Sequence, residues 1–141
     1  MIERVEKSIR SRMKRILLVE DNAYFMQFLK ETLHARLPSI DIFEAKNGEE
    51  ALQRIEALSP DTIFTDLRLP GANGLELTQK IKAKYPNTIV VIITNYDLPE
   101  YREAAYQFGA DHFLSKDSFL KMINAINQKQ ERDDSNPGGS P

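Results

Sequence analysis

Three carboxylates, one hydroxyl and one ammonium group of this sequence stand at or just beyond the ends of short apolar runs. In chain order they are Glu20, Asp21, Asp66, Thr94 and Lys116. Carboxylates that lie close together repel each other, and each resists ionisation unless a cation compensates the charge. Mg²⁺ suits such a set, because it takes one or two carboxylates and keeps waters that phosphate oxygens can replace. With a lysine and a hydroxyl alongside, the set predicts phosphoryl chemistry supported by Mg²⁺.

The apolar runs alternate with helical patterns, and this alternation predicts how the five side chains are positioned. We predict strands at residues 16–19, 40–43, 62–65, 89–94 and 112–114, and helices at residues 25–37, 51–58, 75–85, 100–108 and 119–126. Strands that are apolar on both faces and separated by helices form a parallel sheet covered on two sides, a doubly wound α/β domain. Ligands of such a sheet bind beyond the carboxyl ends of its strands. We therefore expect the five side chains to meet at one edge, where residues 71–74 form a loop.

Composition narrows the class of protein. The chain has 141 residues, of which 41% are hydrophobic and 28% are charged, values typical of a single globular domain. Its longest uninterrupted apolar run, residues 89–93, is far shorter than a membrane span. Because the sequence has no cysteine, disulfides and thiolate metal sites are excluded. Since no signal-peptide pattern opens the sequence, we expect a cytoplasmic protein. A net charge of -2 argues against nucleic acid as a direct partner, and we expect no membrane partner.

The two ends of the chain differ from the middle. Residues 1–13 form a basic N-terminal extension in which Val5, Ile9 and Met13 are spaced four residues apart. This spacing favours an amphipathic helix, and a solvated basic tail or a native start at Met13 are the alternatives. Residues 14–130 hold all the strand and helix patterns of the predicted domain. Residues 131–141 are polar and rich in Pro, Gly and Ser, so we expect a disordered tail there.

Four motifs of this sequence resemble those of response-regulator receiver domains, which serve two-component and phosphorelay signalling. They are Leu-Val-Glu20-Asp21-Asn22, Asp66-Leu-Arg-Leu-Pro70-Gly71-Ala-Asn-Gly74, Ile-Ile-Thr94 and Gly109-Ala110-Asp111-His-Phe113-Leu-Ser-Lys116. The resemblance covers about residues 14–130. It implies a five-stranded parallel sheet in the flavodoxin-like order 2-1-3-4-5, with two helices on one face and three on the other. It also implies a signalling switch and not an enzyme, beyond catalysis of its own aspartyl phosphorylation and dephosphorylation.

The resemblance implies a role for each residue of the acidic group and for the lysine. Asp66 would receive a phosphoryl group from a sensor histidine kinase or a histidine phosphotransfer protein. Mg²⁺ would be bound directly by Asp21, by the Asp66 carboxylate and by the backbone carbonyl of Arg68. Glu20 would act mainly through a metal-bound water. Lys116 would bind a phosphoryl oxygen and neutralise the charge that develops during transfer.

The same resemblance implies a conformational switch. Thr94 would hydrogen-bond another phosphoryl oxygen, and its movement would allow Phe113 to turn inward. The change would reshape the surface of the fourth helix and fifth strand, which a downstream target would recognise. The sequence does not identify that target, and a homodimer is left open. The simpler interpretation of Phe113 is a core aromatic residue.

The sequence departs from the family pattern at several positions around the site. Asp117 follows Lys116 where many receivers have a cis proline, so we expect a trans peptide there and favour Asp117 as the N-cap of the last helix. Asn95 stands where the family often has a very small residue. Tyr96 and Arg68 are large, and we expect both to affect the access of water to the phosphoryl group.

Three alternatives belong to other classes of protein. A pseudo-receiver would be a phosphorylation-independent interaction or dimerisation module; Asn95 and Asp117 favour it mildly, whereas the complete set of site residues argues against it. A phosphohydrolase of the haloacid dehalogenase type would need an acid where Arg68 stands. A flavodoxin-like flavin binder is disfavoured because Glu20 and Asp21 would repel a flavin phosphate. We reject the last two alternatives.

Overall fold

A parallel sheet of five strands forms the centre of the computed structural model, which describes Arg4, Lys7 and residues 13–135. The strands are β1 (Arg15–Val19), β2 (Asp41–Ala45), β3 (Thr62–Asp66), β4 (Ile89–Thr94) and β5 (His112–Ser115). Their order is β2-β1-β3-β4-β5, and every neighbouring pair is parallel. The predicted fold class and strand order are confirmed. The predicted N-terminal helix depends on Val5 and Ile9, which lie outside the described residues.

Five helices flank these strands in the part of the chain that the structure describes. They are α1 (Ala23–Arg36), α2 (Gly48–Leu58), α3 (Gly74–Lys84), α4 (Pro99–Gln107) and α5 (Lys116–Ser135). None of them combines the length and the apolar character that crossing a bilayer requires. Helix α5 continues past the domain boundary that we placed at residue 130, because the first proline or glycine after Lys116 is Pro137. The rest of the predicted tail, residues 136–141, lies outside the described residues.

Alternate side chains of the strands point to opposite faces of the sheet and into separate cores. On one face, Ile16 and Leu18 of β1 pack with apolar residues of α1 and α5. On the other face, Leu17 and Val19 of the same strand pack with residues of α2 and α3. A third cluster, which includes Phe113 of β5, packs under α4. The side chains of a strand alternate with a period of two, so a strand covered on both faces must be apolar throughout.

The segment between β3 and α3 is more regular than the loop that we predicted at residues 71–74. Arg68–Leu69 pairs antiparallel with Ala72–Asn73, and α3 begins directly afterwards at Gly74. The Asn73 side chain caps this helix, since its Oδ1 accepts the backbone N–H of Glu76 at 2.8 Å. Strands of two residues are too short to produce a periodic pattern, so the sequence gives no sign of this hairpin.

Gly74 is the point at which this segment packs most closely against the end of β3. A Cβ atom added there would overlap the backbone oxygen of Asp66 and would lie 3.1 Å from the Cα of Leu67. We expect Gly74→Ala to lower the free energy of unfolding by about 2–3 kcal/mol, because backbone atoms must move to relieve the overlap. The midpoint of urea denaturation measures this change.

Gly71→Ala is the control for this substitution. No atom lies within 4 Å of a Cβ atom added at Gly71, and only its positive φ of 75° opposes a side chain. We expect that strain to cost about 1 kcal/mol. A smaller loss of stability in Gly74→Ala than in Gly71→Ala would contradict the packing argument.

Candidate functional site

The carboxyl ends of three strands bring an ammonium group between two carboxylates. Glu20 follows β1, Asp66 ends β3 and Lys116 follows β5. The Nζ atom of Lys116 lies 3.0 Å from Oε1 of Glu20 and 3.1 Å from Oδ2 of Asp66. These three side chains therefore meet at one edge of the sheet, as expected for polar residues that follow parallel strands.

Asp21 completes a group of three carboxylates at this edge. Glu20, Asp21 and Asp66 each offer one oxygen, and these oxygens lie within 4.8 Å of one another. Glu20 and Asp66 are buried, whereas Asp21 is exposed. The group opens into a cleft of about 510 Å³, which is also lined by Asn22, Arg68, Leu69, Pro70, Asn95, Tyr96 and Lys116. Oxygen atoms at this spacing suit a hard divalent cation.

Both partners of the Glu20–Lys116 ion pair have a raised pKa. Burial raises the pKa of Glu20, and the nearby Asp66 carboxylate raises it further, against the opposing effects of the Asn22 N–H and of Lys116. Burial lowers the pKa of Lys116, but its contacts with Glu20 and Asp66 outweigh burial and raise that pKa overall. Three carboxylates line the cleft against two cationic groups, those of Lys116 and Arg68, so the cleft carries an excess of negative charge. This excess favours the binding of a cation.

Both carboxylate oxygens of Glu20 have a protein partner. Its Oε1 contacts Lys116, and its Oε2 accepts the backbone N–H of Asn22 at 2.9 Å. Asn22 is in turn the N-cap of α1, because its Oδ1 accepts the backbone N–H of Phe25 at 2.9 Å. The neighbouring Asp21 differs, since its side chain faces solvent. The two consecutive acids therefore have different environments.

Thr94 ends β4 next to β3, but it lies behind the surface of the cleft. Its side chain is fully buried, and its Oγ1 accepts the backbone N–H of Tyr96 at 2.9 Å. Among the described residues, Asn95 and Tyr96 line this side of the cleft. The structure thus has Thr94 at the expected strand end, and its part in binding a phosphoryl oxygen stays a prediction.

Phe113 is turned inward in this structure. Its side chain is fully buried and belongs to the cluster that includes Ile92 and Ala105. The guanidinium carbon of Arg102 lies 5.1 Å from the ring centroid, and Nη1 of Arg102 donates to the backbone oxygen of Phe113 at 3.3 Å. This position fits the interpretation of Phe113 as a core aromatic residue. Its role in a switch stays a prediction.

Arg68 and Tyr96 contact each other at the rim of the cleft. The guanidinium carbon of Arg68 lies 4.1 Å from the centroid of the Tyr96 ring, a distance at which the two groups attract. Both residues line the cleft, and the backbone N–H of Arg68 donates to Oδ1 of Asp66 at 3.2 Å. We expected each of them near the site. Their contact with each other could not be predicted, because it joins two segments that are distant in the sequence.

Phe25 is a neighbour of Lys116 that we did not identify from the sequence. Its ring centroid lies 4.0 Å from Nζ of Lys116, and the side chain also packs against the core cluster between α1 and the sheet. In the sequence, Phe25 is one of several apolar residues at helical spacing. Phe25 lies in the first turn of α1, which follows the N-cap Asn22. This turn lies at the same edge of the sheet as Glu20 and Asp21, so its position in the sequence could have indicated a place near the site.

The prediction that Asp117 caps the last helix is wrong. Helix α5 begins at Lys116, so the cap must precede that residue, and Oγ of Ser115 accepts the backbone N–H of Ser118 at 3.0 Å. Asp117 lies in the first turn with its side chain 78% exposed, and its Oδ2 is 3.2 Å from Nζ of Lys121. The part of the chain that the structure describes has no cis peptide bond, in agreement with our expectation for this loop.

Comparisons with known proteins agree with the fold. The family model described as response regulator receiver domain matches residues 16–127. The chain belongs to this family, and it is therefore a receiver domain of a two-component response regulator.

Curated relatives and solved structures match the chain over different shares of their own length. It is 37% identical over 120 residues to a protein-glutamate methylesterase/protein-glutamine glutaminase of Geobacillus kaustophilus, covering 83% of this chain and 34% of that protein. It is 35% identical over 115 residues to the nitrate/nitrite response regulator protein NarL of Escherichia coli, covering 80% and 53%. The signal receiver domain of the response regulator NarL from Mycobacterium tuberculosis has a TM-score of 0.73 at 28% identity, covering 85% and 98%. The chain thus spans about a third to a half of these curated relatives.

Two substitutions test which residue caps helix α5, the helix that begins at Lys116. We expect Ser115→Ala to lower the free energy of unfolding by about 1 kcal/mol, because the backbone N–H of Ser118 loses its acceptor. We expect Asp117→Ala to cost no more than about 0.5 kcal/mol, since its exposed pair with Lys121 contributes little. Urea denaturation of both variants measures the difference. A larger loss in Asp117→Ala would restore Asp117 as the cap.

Proposed function

We propose that this receiver domain accepts a phosphoryl group on Asp66 with Mg²⁺ bound beside it. The observation that carries this proposal is the position of Lys116 Nζ, 3.1 Å from Oδ2 of Asp66 and 3.0 Å from Oε1 of Glu20. A lysine held against a carboxylate in a cleft supplies a positive charge where phosphoryl oxygens would lie once that carboxylate is modified. The donor would be a phosphohistidine of a sensor histidine kinase or of a histidine phosphotransfer protein.

The proposed reaction is a displacement at phosphorus. A carboxylate oxygen of Asp66 forms a bond to the phosphorus atom, the P–N bond of the phosphohistidine breaks, and its electron pair leaves with the imidazole nitrogen, which takes up a proton. Asp66 is oriented for this step before a donor arrives, because Oδ1 accepts the N–H of Arg68 and Oδ2 contacts Lys116. Lys116 then offsets the negative charge on the transferred group.

The carboxylate group fits Mg²⁺, and the partners of each acid support a division of roles. Asp21 is exposed, so it would hold the ion directly together with Asp66 and the backbone carbonyl of Arg68. Glu20 is the least exposed of the three acids and is held by Asn22 and Lys116, so it would act through a metal-bound water. When bound, Mg²⁺ supplies electrostatic stabilisation of the phosphoryl oxygens.

The contact between Arg68 and Tyr96 would influence how long the aspartyl phosphate persists. The two side chains line the cleft, and the guanidinium carbon of Arg68 lies 4.1 Å from the centroid of the Tyr96 ring. A hydrolytic water must approach phosphorus from the side opposite the Asp66 oxygen. Stacked side chains at the rim would restrict its approach.

The readout of phosphorylation would involve Thr94, Phe113 and helix α4. Helix α4 has one buried residue, Ala105, and its N-cap Leu98 provides no side-chain hydrogen bond to the helix. A helix with so few stabilising contacts shifts at low cost when its neighbours rearrange. A downstream target that contacts α4 and β5 would thereby distinguish the two states.

The alternative function is a phosphorylation-independent interaction module, which two residues, Asp117 and Asn95, favoured in the sequence. The contacts of Asp117 weaken the argument from that residue. An acid next to Lys116 could have weakened the hold of the lysine on phosphate. The Asp117 side chain is 78% exposed and contacts Lys121, whereas Lys116 contacts Glu20 and Asp66. Asn95, which lines the cleft, remains as the second support.

We expect Asp66 to be the sole phosphoacceptor. Incubation with acetyl phosphate and Mg²⁺, followed by intact-mass measurement, should add one phosphoryl group to the wild type and none to Asp66→Asn, because the amide is not a nucleophile at neutral pH. Asp117→Asn is the matched control, since it changes an exposed acid beside Lys116, and it should be labelled like the wild type. Unchanged labelling of Asp66→Asn would refute the assignment, and absence of labelling in the wild type would favour the interaction module.

We expect Mg²⁺ affinity to depend on Asp21 and Asp66 more than on Glu20. Removing a direct ligand by Asp21→Asn or Asp66→Asn should weaken binding by about 100-fold or more, whereas Glu20→Gln should weaken it by about tenfold, as is usual for groups beyond the ligands. Calorimetric titration of the three variants with MgCl₂ provides the comparison. If Glu20→Gln lost the most affinity, Glu20 and not Asp21 would be the direct ligand.

A further inference from the structure

We propose that Phe25 is a positioning residue for Lys116, which it holds at the phosphoryl site through a cation–π contact. The centroid of the Phe25 ring lies 4.0 Å from Nζ of Lys116. This is well inside the distance of about 6 Å within which the face of an aromatic ring attracts a cation. The inference rests on the proposed function, because it concerns the lysine that would bind the phosphoryl group.

Three groups surround the ammonium group of Lys116. Oε1 of Glu20 lies at 3.0 Å, Oδ2 of Asp66 at 3.1 Å, and the Phe25 ring covers a further side at 4.0 Å. An ammonium group has three N–H donors, and the two carboxylates engage only two of them. The side chain of Lys116 is only 13% exposed, so little water surrounds it. The ring therefore replaces solvent as the third neighbour.

An aromatic ring suits this position better than a third carboxylate. Phosphorylation of Asp66 adds negative charge to the cleft, and another carboxylate near Lys116 would repel it. The ring is neutral and attracts the ammonium without adding negative charge. Its attraction depends weakly on the direction of the N–H bonds, so it persists when Lys116 turns from a carboxylate oxygen to a phosphoryl oxygen. The flexible lysine side chain then loses less freedom on binding.

The backbone at the start of α1 directs the ring toward the lysine. Asn22 donates its backbone N–H to Oε2 of Glu20 at 2.9 Å and accepts the backbone N–H of Phe25 with its side chain at 2.9 Å. The short segment from Glu20 to Phe25 thus presents a carboxylate and an aromatic ring to the same ammonium group. Packing of Phe25 against the core cluster between α1 and the sheet supports the ring from below.

Two measurements on the full chain test this proposal. In the first, the Cε protons of Lys116 are observed by NMR without Mg²⁺ in protein with ¹³C-labelled lysine, with the signal assigned by Lys116→Arg. We expect the ring current to shift this signal upfield of the other lysines, and we expect Phe25→Leu to abolish the shift. In the second, beryllofluoride is titrated in the presence of Mg²⁺. Phe25→Leu should weaken binding roughly fivefold to tenfold, the range that corresponds to loss of one partly desolvated cation–π contact.

Two further variants separate the ring contact from packing. Phe25→Tyr keeps the aromatic face and should retain both the shift and the affinity. Tyr24→Leu removes a neighbouring ring that is 90% exposed and should change neither. The thermal unfolding midpoint of each variant is measured alongside, and if Phe25→Leu fails to fold, the wild-type shift and the behaviour of Phe25→Tyr decide.

The outcomes distinguish this inference from the proposed function. An unshifted Lys116 signal in the wild type would overturn the contact, and so would a folded Phe25→Leu variant that binds beryllofluoride as tightly as the wild type. A shifted signal that Phe25→Leu abolishes, in a wild type that does not bind beryllofluoride, would support the contact and overturn phosphoryl acceptance instead.

Discussion

The position of one ammonium group between two carboxylates constrains the arrangement of the rest of this domain. The side chains of Lys116, Glu20 and Asp66 are 13%, 2% and 12% exposed, so all three charges are largely removed from water. Desolvation of an ion costs several kcal/mol in real proteins, and mutual attraction only roughly offsets that cost. The three charged side chains therefore contribute little net free energy to the stability of the fold. Their arrangement persists because the strands that carry them are held in place by apolar packing.

The topology of the sheet makes this convergence geometrically feasible. β1 and β3 are hydrogen-bonded neighbours, so Glu20, which follows β1, and Asp66, which ends β3, lie close together. β5 is an edge strand, separated from β3 by β4, and the long side chain of Lys116 spans this gap. β3 is buried along its whole length between the cores of the two faces. A strand held on both faces provides a rigid base for the carboxylate at its end.

The sequence predicts those parts of the structure that depend on local periodicity. The five strands and their helices could be predicted because apolar runs and helical patterns alternate along the chain, and the resulting parallel sheet predicts that Glu20, Asp66 and Lys116 meet. Contacts between side chains from different loops could not be predicted in this way. The stacking of Arg68 on Tyr96 and the approach of Phe25 to Lys116 depend on rotamers and on loop geometry.

The assignment of the helix cap shows a different limit. Ser115 and Asp117 are both favourable N-cap residues, and they are separated by a single residue. The choice between them depends on where β5 ends and α5 begins, and boundaries of this kind are weakly encoded in a sequence. Because α5 starts immediately at Lys116, the serine takes the capping position and the aspartate is turned to solvent.

The contrast between Glu20 and Asp21 shows how one segment provides two kinds of acid. The two residues have the same functional group and are consecutive, but Glu20 is buried with both oxygens engaged, and Asp21 is exposed. An exposed carboxylate exchanges water for a cation without breaking any contact within the protein. Glu20 is only 2% exposed, and contact with an ion would disturb its bonds to the N–H of Asn22 and the ammonium of Lys116. This difference in cost favours Asp21 as the residue that contacts a metal ion and leaves Glu20 to hold the lysine.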